Sequence, residues 1–458
     1  NKQSTKISCL VTGLHNYEYL IQNKKNIYDE VDNVDRKYRE FEKLKPDYSH
    51  EDLTYIENIT NRPINYFLYS ERILVQHTHS IIYDKNLKKA QIYNIFSKLF
   101  TFLEHKVKDS DLVYSYTSAS LVSEILFYLC KYYKKKYLTL NEVRISRKWS
   151  ILENNKDFHD EIFNNYINLD NFNKEGEKIF NNYCENLNKN IKNPVEQNYQ
   201  FNLIKNKKLN FKNISRFVNS MIFENPELRH FLSPKGLNRI KSNIRYFKYK
   251  FFSKKFFVNN LPKNKYLYYP LSTIPEASTL IRGVNYYDQL SNIKQMSLNL
   301  PLDYSLVVRE HPGMIGKNNY KFYEEISRIY NVILLSPEFN NTEAIKHSSA
   351  VITVTGTSGI ESLFLGKKTI AIGSSIYSDL KTVHKINNFN HIYKILLLNH
   401  AEKEIENQIN DMKCFCTAIS ASDLIDDINN VIWSEKSFEK EYIDFDYQFY
   451  KIFSKKYL

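Results

Sequence analysis

The chain has 458 residues, 42% of them apolar, and a formal net charge of +13. That length leaves room for two or three domains with a sizeable core, and the apolar content excludes a disordered chain. No apolar run approaches the roughly 18 residues of a membrane-spanning helix, and a basic balance fits nucleic acid, an anionic membrane surface or a phosphorylated substrate without choosing among them.

In chain order, Ile7–Thr12 reads as a first strand. Residues 64–75, "INYFLYSERILV", are open to two readings, a second strand or a buried helix. "DLVYSY" (111–116) is a strand. "SASLVSEILFYLCKYY" (118–133) follows as a helix, with Leu121, Ile125, Leu126 and Leu129 at helical spacing. "KYLTL" (136–140) is the next strand, so this run predicts a parallel βαβ unit.

Residues 156–260 change character and predict helices. In 237–258, Leu237, Ile240, Ile244, Phe247 and Phe251 make a stripe at three- and four-residue steps. Lysines and arginines crowd around it, and the basic stretch spans 235–258. Two readings stand: a core helix with a solvated basic face, or a helix lying on an anionic membrane surface.

Residues 265–375 alternate regularly. "KYLYYPL", "YSLVVRE", "NVILLS", "AVITVTG" and "KTIAIGS" read as strands, with helices between them. Such alternation predicts a parallel sheet covered on both faces. The tail, 386–458, reads as mostly helical.

Ligands in open α/β sheets bind beyond the carboxyl ends of the strands. The five exits are "STIPEAST", "REHPG", "SPEFNN", "TGTSGIE" and "GSSIYSD", all small, hydroxylated or ionisable. Five such exits on one edge point to a site. In "TGTSG", Thr355, Thr357 and Ser358 sit where a strand turns into a helix, whose free N–H groups and positive dipole end favour an anion. Gly356 and Gly359 let a backbone approach closely. An N-cap and a tight turn explain the same residues. Glu361, one turn further in, either compensates the helix dipole or holds ribose hydroxyls. His311 can donate to a phosphate or carboxylate, and Pro312 fixes the exit of the chain behind it. Glu276 is the best placed carboxylate on this edge for catalysis. Arg282 and Arg309 either hold an acidic sugar or make surface salt bridges.

"YYPLSTIPEAST", "VVREHPGM" and "VITVTGTSGIESLFLGKKTIAIG" resemble the capsule polysaccharide biosynthesis proteins, a group that includes the bacterial β-Kdo transferases of GT-B fold. The likeness is strong over about 265–380. It is visible but weaker in "DLVYSYTSASLVSEILFYLC" and "LTLNEVRISRKW", and absent from 156–260 and the tail. The resemblance implies an α/β, GT-B-like chain. The expected parts are an acceptor-side Rossmann-like domain (1–155), a helical basic and aromatic insertion (156–260), a nucleotide-sugar-binding Rossmann-like domain (261–385) and a helical tail (386–458). His311 and Pro312 match the family's His-Pro motif. Glu276 matches the glutamate of a Gln-x-Glu motif, with Ile274 where the family has glutamine.

The implied function is transfer of an acidic keto-sugar, Kdo or a related nonulosonic acid, from a CMP-activated donor to a saccharide or lipid-linked glycan of the bacterial surface. Thr355, Gly356, Thr357, Ser358, His311, Pro312 and Glu361 would bind the nucleotide, and Arg282 and Arg309 the sugar carboxylate. Glu276 and Glu124, with His311, are the catalytic candidates, although Glu124 is equally a plain helix glutamate. No cofactor and no metal are expected, because no DxD-like acidic pair follows a strand. Cys9, Cys130, Cys184, Cys414 and Cys416 form no CxxC pair, and the N-terminus shows no signal-peptide pattern. A reduced, cytoplasmic chain at the inner membrane face is expected. A sugar-nucleotide epimerase of GT-B-like fold, a nucleic-acid binder and a non-catalytic capsule-assembly protein are the alternatives. No recognised nucleic-acid motif accompanies the basic residues.

Overall fold

Apolar residues three and four apart, closed between short parallel strands, build the first part of the chain. The structure is a computed structural model that describes residues 6–11, 14–23, 28–71, 87–115, 120–146, 148–192, 237–274, 276–398, 400–426, 448 and 451–456. Strand β1 (Ser8–Val11), helix α1 (Leu14–Asn23) and strand β2 (Glu30–Asn33) come first, with β1 and β2 paired in parallel. Helices α2 (Val34–Lys43), α3 (His50–Thr60), α4 (Ile64–Tyr69) and α5 (Lys89–Lys108) follow. The ambiguous stretch 64–75 is therefore helical over Ile64–Tyr69, and beyond residue 71 it lies outside the described residues. Strand β3 (Leu112–Ser115), helix α6 (Leu121–Tyr132), strand β4 (Lys136–Val143) and strand β5 (Lys148–Leu152) complete this half. β3 and β4 are parallel, as the βαβ pattern predicts, and β5 adds antiparallel to β4. The α6 face of Leu121, Ile125 and Leu129 is wholly buried, and its start is fixed by reciprocal Ser120 and Ser123 side-chain bonds.

Helices α7 (Asp160–Ile167) and α8 (Lys174–Lys192) come next, then α9 (Leu237–Ser253). The second sheet begins with β6 (Lys265–Pro270), where Tyr266, Leu267, Tyr268 and Tyr269 are all buried. Burial of both faces demands cover on both, as for a parallel sheet. A short helix α10 (Ala277–Leu280), α11 (Gln289–Leu298), β7 (Tyr304–Arg309), α12 (Tyr320–Ser327), β8 (Val332–Leu335), α13 (Asn341–His347) and β9 (Ala350–Thr353) follow. Then come α14 (Thr357–Phe364), β10 (Lys368–Ala371), β11 (His384–Lys385), α15 (His391–Leu397) and α16 (Glu402–Ala421). The sheet order is β11-β10-β9-β6-β7-β8, and every pairing is parallel. Counted from β6, this is the Rossmann order 3-2-1-4-5-6, which reverses direction between β6 and β9.

The α7 and α8 part of 156–260 does not stand apart from the rest. Tyr166, Phe180 and Leu187 pack with Ile360, Phe364 and Phe415, in the same cluster as Val143 and Ile145 of the N-terminal half. The chain beyond α16 then returns to the N-terminal half, where Ile425 exchanges both backbone hydrogen bonds with Trp149. Helix α9 behaves differently. Tyr246 and Tyr249 face inward, against Gly316 and Tyr320. Ile244, Phe247 and Phe251 are 61%, 52% and 73% exposed. The apolar stripe is thus no core face over these three residues, which corrects the first of its two readings. The side chains of Leu237 and Ile240 lie outside the described residues.

Gly359 shows how tightly α14 is set on its surroundings. A Cβ there would lie 2.3 Å from the hydroxyl of Tyr377, which is fully buried and donates to the Gly356 carbonyl. Gly359→Ala is expected to destabilise the protein by about 1–3 kcal/mol through overpacking. Urea unfolding measures it, and a stability equal to wild type would mean that Tyr377 moves freely.

Candidate active site

The exits of β6 to β10 lie along one edge of the parallel sheet, and those of β6 and β9 flank its reversal. Beyond β6, Glu276 is exposed and accepts from the hydroxyls of Thr273 (2.5 Å) and Ser278 (3.0 Å). Beyond β9, the chain runs straight into α14. Its N-cap is Gly356, which has no side chain to cap the helix, so the first-turn N–H groups of Thr357 and Ser358 lack a local acceptor. Thr357 is exposed. Thr355 is buried, with its hydroxyl turned to the Ser278 carbonyl, 3.4 Å away. The Ser358 hydroxyl is shared with Asn341.

His311, beyond β7, caps its own turn. Its Nδ1 accepts from the Gly313 N–H at 3.1 Å, and Pro312 starts a single 3-10 turn. With Nδ1 occupied as an acceptor, the neutral ring carries its proton on Nε2, which makes Nε2–H the donor on offer. Burial lowers the His311 pKa, Arg309 and Lys317 add to that, and Glu276 opposes it. The ring is therefore neutral at neutral pH, and Glu276 lies close enough to act on it.

Glu310 was not a sequence candidate, yet it fixes this turn. It is fully buried and accepts from the His311 N–H (2.7 Å), Asn318 (2.8 Å) and the Tyr323 hydroxyl (2.6 Å). Burial raises its pKa against those bonds and against Arg309. Arg309 spends its guanidinium on the carbonyls of Pro337 and Phe339. Glu361 accepts from Asn341 at 2.9 Å, and burial pushes its pKa up to about 7. Asn341 also takes the Tyr268 hydroxyl, so one amide ties β6, α13 and α14 together.

The N-terminal half reaches the same edge by residues that the sequence did not single out. Asp157 is buried at φ 60° and pairs with Arg282 Nη1 at 3.1 Å and His159 Nε2 at 3.2 Å. Burial alone would raise the Asp157 carboxyl, but Arg282, His159 and Arg144 hold it below its ordinary value. Arg282 also lies 3.4 Å from Asn141 Oδ1 and is acted on by Glu276. Glu124 is not among these groups. It is fully buried on α6, accepts from Asn155 (2.6 Å) and the Tyr66 hydroxyl (3.2 Å), and the charges acting on it are Lys156 and Arg62. None of them comes from the C-terminal half. Among the described residues, no group of three or more His, Cys, Asp or Glu side chains could hold a metal ion. No helix among them is long and apolar enough to cross a membrane.

Residues 236–381 match the family model of the capsule polysaccharide biosynthesis proteins, and every C-terminal site residue lies inside that span. No curated protein matches the chain. Among solved structures, the β-Kdo 2,4 transferase KpsC of Thermosulfurimonas dismutans is 12% identical, covers 67% of this chain and 78% of its own, with a TM-score of 0.28. The UDP-GlcNAc 2-epimerase of Neisseria meningitidis is 10% identical over 91% of this chain and 98% of its own, with a TM-score of 0.30. Likenesses this slight bear no functional weight, which rests on the family match.

Burial pushes the Glu124 carboxyl up to about 7, against bonds from Asn155 and Tyr66. The folded value lies above the 4.5 of an ordinary glutamate, so the folded state keeps a proton that the unfolded chain has released. Stability therefore falls as pH rises through that window. Relative to wild type, Glu124→Gln should gain on the order of 2–3 kcal/mol at pH 8 and nothing near pH 4.5. Urea unfolding at both pH values reads it. An equal effect at the two would mean that the carboxyl titrates normally.

Proposed function

We propose that this protein is a glycosyltransferase that moves an acidic keto-sugar, Kdo or a related nonulosonic acid, from a CMP-activated donor to a surface polysaccharide or glycolipid. The observation that carries this reading is that Glu276 acts on His311 across the β6 and β7 exits, while the Ser278 carbonyl beside Glu276 lies 3.4 Å from the Thr355 hydroxyl at the approach to the uncapped α14, all within the family-matched segment. The donor's phosphate takes the N–H groups of Thr357 and Ser358, the Thr357 hydroxyl and His311 Nε2–H. In the reaction, the bond from the anomeric carbon to the phosphate oxygen breaks, and its electron pair leaves on CMP. The acceptor's hydroxyl oxygen bonds to that carbon in its place. The hydroxyl proton passes to a carboxylate, and Glu276 is the candidate.

Donors fixed in advance around the leaving phosphate stabilise charge as it develops and cost no reorganisation. A neutral His311 suits this role, because Nδ1 stays free to accept from the Gly313 N–H and so fixes Nε2–H as the donor. The reading therefore calls for no metal cofactor. Ser358 and Thr355 serve mainly to hold the turn, since both hydroxyls already have partners. Glu361, which accepts from Asn341 near the start of α14, is the candidate for the ribose hydroxyls. The same feature favours a sugar-nucleotide epimerase as the second reading.

Melting temperature with CMP, UMP, UDP and a short RNA discriminates among these readings. Stabilisation by CMP above the others is the expected result. Preference for UDP would turn the reading to the epimerase, and preference for RNA would remove the enzyme. In a transfer assay, His311→Ala should lower kcat roughly a hundredfold, as loss of one preorganised donor does, with the fold intact. Wild-type turnover in that variant would take His311 out of the mechanism.

Contact with an anionic membrane surface belongs to the same reading, since glycolipid acceptors sit there. Ile244, Phe247, Phe251 and Phe252 form one exposed face of α9, with Lys248 on it and Lys254 and Lys255 at its end. Each basic residue near such a surface contributes roughly 1 kcal/mol. Flotation with anionic vesicles at low salt should carry the protein upward, and high salt should release most of it. Equal flotation with neutral vesicles would sink the idea.

A further inference from the structure

Arg144 belongs to the N-terminal half, in the turn between β4 and β5, yet it touches the C-terminal one. Its Nη1 donates to the Thr355 carbonyl at 3.2 Å, two residues before α14 begins. A guanidinium carries five N–H donors, and a neutral carbonyl is a weak partner for its charge.

The charges around it do not balance. Arg144 and Arg282 both act on Asp157, and Arg144 disfavours the charge of Arg282. Asp157 is the buried carboxylate on which both act, and it is also shared with His159. Glu276 acts on Arg282 only from the exposed rim. Two guanidiniums thus act on the same buried carboxylate, which is already paired with one of them, in a setting where water screens poorly.

A second observation points to a ligand rather than to a structural excess of charge. Arg282, whose side chain is 10% exposed, has no acceptor for its Nε–H, and Asn141 Nδ2 beside it has none either. Buried donors left without acceptors are costly, and an acceptor oxygen of a water or a ligand beside them would relieve that cost. Arg282 is also held close to the anion-binding turn. Its carbonyl accepts from Ser374, and a Cβ on the next residue, Gly283, would lie 2.2 Å from Val354.

We propose that Arg144 is the phosphate ligand contributed by the N-terminal half, closing over the start of α14 and binding the leaving group of the donor. The Thr355 carbonyl parks the guanidinium beside the phosphate position and leaves its other donors for the ligand. As the anomeric C–O bond breaks and its electron pair moves onto the phosphate, Arg144 meets the growing charge alongside the helix start. The inference rests on the nucleotide reading given above and adds a residue from the other half of the chain. Arg144 then makes a nucleotide's affinity depend on both halves being together.

The test compares a nucleotide with its own nucleoside, which isolates the phosphate. Affinities for CMP and cytidine are measured on wild type, Arg144→Ala and Arg144→Lys. Arg144→Ala should lose tenfold or more for CMP, about 1.4 kcal/mol, and nothing for cytidine, while Arg144→Lys recovers part of the loss. An unchanged CMP-to-cytidine ratio overturns the proposal, whether both affinities hold or both fall together. Should Arg144→Ala fail to fold, Arg144→Gln is read in its place, since it keeps a donor for Thr355 without the charge. If wild type prefers UMP, the ratio is taken against uridine. Failure of wild type to bind any nucleoside monophosphate is a separate result, which removes the nucleotide reading and this inference with it.

Discussion

Asp157 is buried where the two halves meet, with its backbone in the left-handed region, and both facts follow from what its carboxylate has to reach. The turn between β5 and α7 alternates. Asn155, Asp157 and His159 point inward and are buried, while Asn154 and Lys156 stay outside. A non-glycine residue at positive φ is strained and persists only when its surroundings hold it there. Here Arg282 and His159 do so. A buried ion pair adds little net stability compared with apolar packing, but removing one partner costs about 3–5 kcal/mol. Its effect is to select one arrangement of the halves. The same small region holds the Ser374 bond to Arg282, the Ser278 carbonyl under Thr355 and the contact of Gly283 with Val354.

That arrangement brings Arg144 and Asp157 of the N-terminal half to the edge of the C-terminal sheet. A Rossmann-order sheet opens a crevice at the reversal between β6 and β9 whatever its sequence. What enters the crevice depends on charge. On the proposed reading the helix start and the arginines supply positive potential, and burial disfavours a further charge on His311. Carboxylates are handled by separation. Glu310 is buried under the His-Pro turn and positions it, Glu361 is tied to Asn341, and Glu276 alone stands on the exposed rim. A group that must exchange a proton with a substrate has to reach that substrate, and Glu276 is the most exposed of the three.

Much of the C-terminal sheet was legible in the sequence, because alternating apolar runs and polar exits are local patterns. The strands from 265 to 371, the helix start at Thr357 and the turn at His311 all follow from neighbours a few residues apart. Asp157, Arg144 and Glu310 were not legible. Arg282 meets Asp157 across 125 positions of chain and Arg144 meets Thr355 across 211, and neither contact leaves a periodicity to read. Glu310 and Asn341 looked like ordinary polar residues beside stronger motifs. Helix α9 shows a further limit. Its spacing fixes which residues share a face, but only the packing of Tyr246 and Tyr249 on the other side tells that Ile244, Phe247 and Phe251 remain uncovered. The separation of the N-terminal strands into a β1–β2 pair and a β3–β4–β5 sheet is likewise a matter of long-range pairing.

The position of α9 ties its exposed face to the chemistry. Gly316 lies five residues beyond His311, in the left-handed region at φ 77°, and a Cβ there would meet the ring of Tyr246 at 2.8 Å. Tyr249 packs on Tyr320 at the start of α12. The chain leaving α9 then bonds along the edge of β8 through Val258 before entering β6. Helix α9 is therefore locked at one end to the loop that carries His311 and at the other to the sheet that carries Glu276. A surface that held Phe247 and Phe251 would hold the site at a set height and tilt. An acceptor anchored in that surface would then meet the crevice from one direction, and orientation of that kind lowers a barrier without any new contact to the reacting atoms.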